Sequence, residues 1–320
     1  MPVNEPKPSW LKMKLPTGET VSKLRKSLRE RALYTVCEEA RCPNLGECWD
    51  QGTATIMLMG DVCTRGCRFC AVKTGNPRGW LDLDEPAKVA QTAEIPGLRY
   101  LVLTSVDRDD LPDFGAGHYA ETIRLLKEKR SSLLVEALVP DFQGRHECVH
   151  TLCDSGVDVY AHNIETVDRL HRRVRDVRAT YTQTLDTLAE AKRYRPDVFT
   201  KSSIMLGLGE TEDEIRQTMH DLREHGVDIL TLGQYLQPNK KLLPVERYVT
   251  PEEFDEFKRW AEEDFGFAYC ASGPMVRSSY KAAEHFVMSQ LLPSEALPSH
   301  DTSSPDSAPK PDGFAGRMVV

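Results

Sequence analysis

Six short apolar runs, at residues 53–59, 99–104, 133–138, 157–163, 198–206 and 229–233, alternate with helix-length amphipathic segments at 85–93, 117–129, 145–155, 182–194 and 212–225. Strand–helix alternation at this spacing implies parallel strands joined by crossover helices. Six such units are too few for a complete eight-stranded barrel. The expected fold is therefore α/β: a partial (β/α)6 TIM-like barrel behind an N-terminal extension. Helix start signals agree. Thr211-Glu-Asp-Glu214 fits a capping box, and Thr250-Pro251 sets a proline at a first helical position, where its missing N–H costs nothing. In such architectures chemistry gathers at the C-terminal ends of the strands.

Six of the nine cysteines fall in two groups, Cys37/Cys42/Cys48 and Cys63/Cys67/Cys70. The second follows the first expected strand directly, which puts it at the barrel mouth. Its spacing lets a single loop wrap three corners of a cubane. A cubane iron–sulfur cluster takes four ligands, so a trio leaves one iron open to a substrate or cofactor. Zinc is the competing reading, but zinc sites favour paired Cys-x-x-Cys units with a fourth ligand, and no nearby histidine supplies one. Cys148, Cys153 and Cys270 are expected to be packed thiols.

A formal net charge of -8 argues against general nucleic-acid binding. The N-terminus has neither the apolar core of a secretory signal nor the Arg-rich, acid-poor character of a transit peptide. No apolar run approaches the ~18 residues that span a bilayer. Without an export signal, clustered cysteines read as metal ligands rather than disulfides. The expectation is a soluble cytoplasmic protein with no membrane or nucleic-acid partner.

Cys63-x-x-x-Cys67-x-Phe69-Cys70 resembles the signature of radical S-adenosylmethionine (SAM) enzymes, including the aromatic before the last cysteine. The resemblance implies a 4Fe–4S cluster on these cysteines, its fourth iron chelated by SAM. It also implies reductive cleavage of SAM to methionine and a 5′-deoxyadenosyl radical, chemistry the protein orients and shields. Phe69 would then lie near the adenine; shielding the cluster from solvent is its competing role. Asn163 and Glu165 end the fourth expected strand. The resemblance makes them candidates for polar contact with SAM, with helix capping as the plain alternative. Lys201, Ser203, Met205 and Gly207 end the next strand, where backbone contact with adenine is the candidate role.

The first trio is the more specific. With Cys42-Pro-Asn-Leu-Gly-Glu-Cys48-Trp it resembles the auxiliary-cluster motif of lipoyl synthases. Lys7-Pro-Ser-Trp10, Leu15-Pro-Thr-Gly18, Thr104-Ser-Val-Asp107-Arg108-Asp109-Asp110, His162-Asn163-Ile-Glu165 and Arg277-Ser278-Ser279-Tyr280 resemble further motifs of that family. The likeness runs from about residue 7 to about residue 283. It implies a second 4Fe–4S cluster on Cys37, Cys42 and Cys48, with Ser279 as fourth ligand and Ser278 as the less favoured choice. From residue chemistry alone, the serine pair reads as the cap of a final helix. The implied reaction inserts two sulfur atoms, at carbons six and eight, into an octanoyl chain on a lysine of a carrier domain, the auxiliary cluster giving up the sulfur. The implied partners are octanoylated lipoyl carrier domains (2-oxoacid dehydrogenase E2 subunits and the glycine cleavage H protein), an electron donor such as flavodoxin or ferredoxin, and iron–sulfur cluster carriers.

The expected organisation is an extension over residues 1–52, a radical SAM barrel with the serine motif over 53–290, and a disordered tail over 291–320, rich in Pro, Ser and Asp. Three motifs are set against this reading. His146-Glu147-Cys148-Val149-His150 matches a zinc-hydrolase pattern but lacks a third ligand. Gly207-Leu-Gly209-Glu lacks the full dinucleotide fingerprint. Basic stretches at 23–31 and 172–178 read as solvated faces or, functionally, as a docking surface in which Arg172 and Arg173 meet an acidic carrier domain.

Overall fold

The computed structural model of the chain describes residues 7–11, 34–35, 53–278 and 282–291. Cys37, Cys42, Cys48, Ser279 and the tail from residue 292 lie outside the described residues. In chain order, β1 (Tyr34–Thr35) pairs antiparallel with β2 (Thr53–Leu58). A small ribbon follows, β3 (Val62–Cys63) beside β4 (Lys73–Thr74). Then come α1 (Glu85–Ala90), β5 (Tyr100–Ser105), α2 (Ala116–Lys129), β6 (Leu134–Leu138), α3 (His146–Cys153) and β7 (Val159–Ala161). The second half runs α4 (Asp168–Val174), α5 (Tyr181–Tyr194), β8 (Phe199–Leu206), α6 (Glu212–Glu224), β9 (Ile229–Gln234), α7 (Pro251–Arg259), β10 (Tyr269–Gly273) and α8 (Ala282–Leu291).

The sheet order is β1-β2-β5-β6-β7-β8-β9-β10, parallel from β2 onward. All six expected strands form. A seventh, β10, extends the wall, with Ala271 opposite Thr231. No ladder joins β10 to β2 among the described residues, so the barrel stays open.

Parallel strands covered on both faces read as near-continuous apolar runs, and every residue of β5 except Ser105 is buried. The alternation of strand side chains divides the core. Leu101 and Leu103 join the large cluster beneath the helices, whereas Tyr100 and Val102 join Leu134, Val159 and Ile229. Most of this second group begin their strands. Val287 and Met288 of α8 pack against it and floor the barrel, each worth roughly 1.5–3 kcal/mol in burial. Just above the floor, Tyr100 Oη and Lys201 Nζ donate to the Glu136 carboxylate at 2.7 and 2.8 Å, satisfying a carboxylate that would be costly if left alone. Space opens above that polar layer.

The capping box at Thr211/Glu214 starts α6 and Pro251 opens α7, as the sequence suggested, and a second capping box at Thr250/Glu253 joins the latter. One glycine matters for the mouth. A Cβ on Gly233, near the end of β9, would lie 2.2 Å from the Val276 carbonyl oxygen. Its absence lets the turn carrying Arg277 and Ser278 close over the strand ends.

Candidate functional site

The loop from Cys63 to Cys70 leaves β3 and is held from three sides. Arg65, between the first two cysteines, is buried with its side chain 2 % exposed. Both guanidinium ends meet Asp141, after β6, at 2.7 Å, while Nη2 and Nε meet Asp109, after β5, at 2.9 and 3.1 Å. Asp107 stands 3.4 Å from Nε. From the far side, Arg178 donates to the Thr64 carbonyl at 2.7 Å and pairs with Asp109 at 3.0 Å, and Asp176 accepts from Gly66 N at 2.8 Å. Bidentate, charge-assisted contacts of this kind fix direction as well as distance.

The thiols receive backbone donors. Asp107 N and Arg65 N reach Cys63 Sγ at 3.3 and 3.4 Å, and Asp176 N reaches Cys67 Sγ at 3.3 Å. Burial, with Asp107 adding its charge, pushes the Cys63 thiol up to about 12. Burial pushes Cys70 up to about 11 and Cys67 in the same direction. Loading a cluster therefore releases protons from this loop.

Cys63, Cys67, Cys70, Phe69, Asn163, Glu165 and Ser278 all line one cavity of about 260 Å³. Its other walls include Asp107, His162 and Arg175. Asn163 Nδ2 donates to Glu165 Oε1 at 3.1 Å. Glu165 adopts a left-handed backbone at φ 69°, an uncommon state for a non-glycine residue that marks a constrained site. Burial raises its carboxyl, against the pull of Arg175. Asp107 is raised in the same way, against Arg65. Burial works against Asp109 too, but Arg65 and Gln143 hold it down at about 2. His162, bonded to the Val139 carbonyl at 2.7 Å, is driven down to about 4 by burial and by Arg175.

Arg175 is anchored by Nη1 on the Asn163 carbonyl and the Thr184 hydroxyl, both at 3.0 Å. Its Nε is buried without a partner among the described residues. No three His, Cys, Asp or Glu side chains among the described residues converge on a single ion. A cubane asks for something else, one thiolate at each of several irons. The thiol trio and its amide donors thus fit a cluster, with Arg175 on the same wall offering a cation to a carboxylate beside it.

The structure separates other expectations. Lys201, Ser203, Met205 and Gly207 are not on the cavity wall. In α3, His150 pairs with Glu190 at 2.5 Å and stacks on Tyr194, and Cys148 and Cys153 are buried, as is Cys270. The arginines of 172–178 do not share one face: Arg173 pairs with Glu246, Arg175 turns to the cavity and Arg178 to Asp109. Arg65, Asp141 and Arg175 were missed as site residues. Only the acid-rich run Asp107 to Asp110 at a strand end hinted at them.

Comparison with known proteins fits this geometry. Residues 57–222 match the radical SAM superfamily, and residues 4–42 match the N-terminal domain of lipoyl synthase of the radical SAM family. Lipoyl synthase of Deinococcus radiodurans is 59 % identical over 288 residues, covering 90 % of this chain and 86 % of that one. The chain belongs to the lipoyl synthase family. Mitochondrial lipoyl synthase of Drosophila melanogaster is 57 % identical over 305 residues, covering 93 % of this chain and 80 % of that one. The X-ray structure of the FeFe-hydrogenase maturase HydG from Carboxydothermus hydrogenoformans shares the fold alone, with a TM-score of 0.52 at 12 % identity, over 85 % of this chain and 78 % of that one.

As a family member, this chain is a sulfur-inserting radical SAM enzyme using a 4Fe–4S cluster and SAM. It acts on lipoyl carrier proteins. Among the described residues no helix is long and apolar enough to cross a membrane.

Proposed function

We propose that Cys63, Cys67 and Cys70 hold the SAM-cleaving cluster, and that Cys37, Cys42, Cys48 and Ser279 hold a second 4Fe–4S cluster consumed as the sulfur source. The observation that carries the reading is the convergence of three thiols and Arg175 on one cavity. Ser278 on the same wall supports bringing the serine motif, and with it a second cluster, to this mouth.

The cluster, when bound, supplies the electron that splits SAM; the rest falls to side chains. Phe69 covers the cavity side of the thiol loop, and Asn163 with Glu165 offers polar contact to SAM. Arg175 supplies a cation for its carboxylate. Glu165, pushed toward its protonated form by burial, accepts a cationic amine readily because that contact restores its charge. His162, kept neutral, adds no positive charge beside a sulfonium.

The substrates in this reading are octanoylated E2 subunits and the glycine cleavage H protein, with a flavodoxin or ferredoxin as reductant and cluster carriers for repair. The six described cysteines are all unpaired thiols, which suits a reducing compartment such as the cytoplasm. The division at residues 52 and 290 belongs to the same proposal.

The test is anaerobic reconstitution followed by reaction with SAM, dithionite and an octanoyl-lysyl peptide. Cys63→Ala is expected to abolish deoxyadenosine, whereas Cys37→Ala keeps it and loses sulfur insertion. If both variants behave alike, the division of labour between the trios is wrong.

A further inference from the structure

Arg68 sits between two of the proposed ligands, Cys67 and Cys70, yet its side chain is exposed while Phe69 beside it packs against the core. The loop is one chain thick. Its inner side presents Phe69 and the thiols to the cavity, and its outer side presents Gly66, Arg68 and Ala71 to solvent. Two neighbours complete the outer face. Arg68 N donates to the Val174 carbonyl at the end of α4 at 2.8 Å, and the Arg68 carbonyl accepts from Leu243 N at 3.0 Å. These bonds hold Arg172 and Arg173 on one flank, and the segment with Lys240 and Lys241 on the other, against the ligand loop. All five cations are exposed. Glu246 pairs with Arg173 at 2.6 Å; Arg68, Arg172, Lys240 and Lys241 have no carboxylate partner among the described residues. Val177, 81 % exposed, stands next to Asp176, which anchors Gly66, and adds an apolar point to the face. On a chain of formal net charge -8, such a cationic collar is a local feature and not a consequence of composition.

We propose that this collar docks an acidic one-electron carrier protein, an inference that rests on the cluster assignment above. Each SAM cleavage draws one electron: the donor is oxidised by one, the cluster reduced by one, and no bond is made or broken in the transfer. The octanoyl chain must enter the cavity, and the ligand loop closes the cavity on this side. A donor seated on the collar is separated from the cluster by the loop alone, and exposed cations steer an acidic partner to it in a salt-sensitive way. The rival occupant, an acidic substrate carrier domain, would have to pass its acyl arm through the loop.

Titration of the cluster-loaded full chain with oxidised flavodoxin, at low and high salt, reads docking without catalysis. Lys240→Glu with Lys241→Glu, and separately Arg172→Glu, are expected to weaken flavodoxin binding roughly tenfold at low salt and to flatten its salt dependence. Flavodoxin-driven deoxyadenosine formation falls in step, while dithionite-driven formation and affinity for an octanoylated carrier domain hold. Undiminished flavodoxin binding in these variants overturns the proposal. So does a selective loss of carrier-domain affinity, which would give the collar to the substrate. If the unaltered chain fails to cleave SAM with dithionite, the cluster assignment falls, and flavodoxin binding still decides the docking face.

Discussion

Replacing Asp141 by Asn removes one charge from the pair that ties the cluster loop to the end of β6. Asp141 is fully buried and Arg65 is 2 % exposed, so neither is relieved by water when the other is lost. Breaking a buried ion pair typically costs about 3–5 kcal/mol. The lower end applies here, because Asp109 stays on Arg65 at 2.9 Å and the asparagine oxygen keeps one of the two bonds. A loss of about 3 kcal/mol lowers the midpoint of thermal unfolding by about 6–12 °C in a domain of this size. The same change frees one anchor of the loop, so iron content after reconstitution is expected to fall with stability. Arg65→Lys separates charge from geometry: it keeps the cation but loses the planar fork that reaches Asp141 and Asp109 together. Denaturant unfolding of the apo chain, with iron and sulfide analysis of the reconstituted one, reads both effects. A stability change below about 1 kcal/mol, with full iron content, would refute the claim that this pair organises the loop.

Gly233→Ala is expected to push the turn at Val276 off the end of β9, because the new Cβ meets backbone and not a flexible side chain. Deoxyadenosine formation should survive better than sulfur insertion, and equal losses would argue against a role for that turn in the second cluster. His162 predicts acid sensitivity with a definite sign. Its folded-state value of about 4 lies below 6.5, so between those values the unfolded chain binds a proton that the folded chain refuses. Its stability contribution is complete above pH 6.5 and declines by about 3 kcal/mol as pH falls to about 4, which urea titrations at several pH values will read. His162→Gln should flatten that slope.

The parallel wall was legible because both faces of its strands are covered, leaving apolar runs too plain to miss. β10 was not. Tyr-Cys-Ala-Ser-Gly contains no such run, and its strand state comes from pairing with β9. α4 went unread for a related reason, since Asp-Arg-Leu-His-Arg-Arg-Val looks like a solvated basic stretch. The thiols were singled out by local spacing, Phe69, Asn163 and Glu165 by the family resemblance, and all reach one cavity. Arg65 had no such local signature. Its partners Asp109 and Asp141 lie 44 and 76 positions away in the chain, and only the curl of the sheet brings them together. The basic stretch shows the converse: residues close in sequence meet different neighbours, Arg173 in α4 pairing with Glu246 and Arg178, beyond its end, with Asp109.

The sheet ends at β1 on one side and β10 on the other, and among the described residues no ladder joins the two. A closed ring fixes its diameter through hydrogen bonds around the whole circumference. Among the described residues no such ring is complete. Separating the two edges of an open sheet breaks no ladder bond between them, a geometry that suits a mouth admitting a long acyl arm.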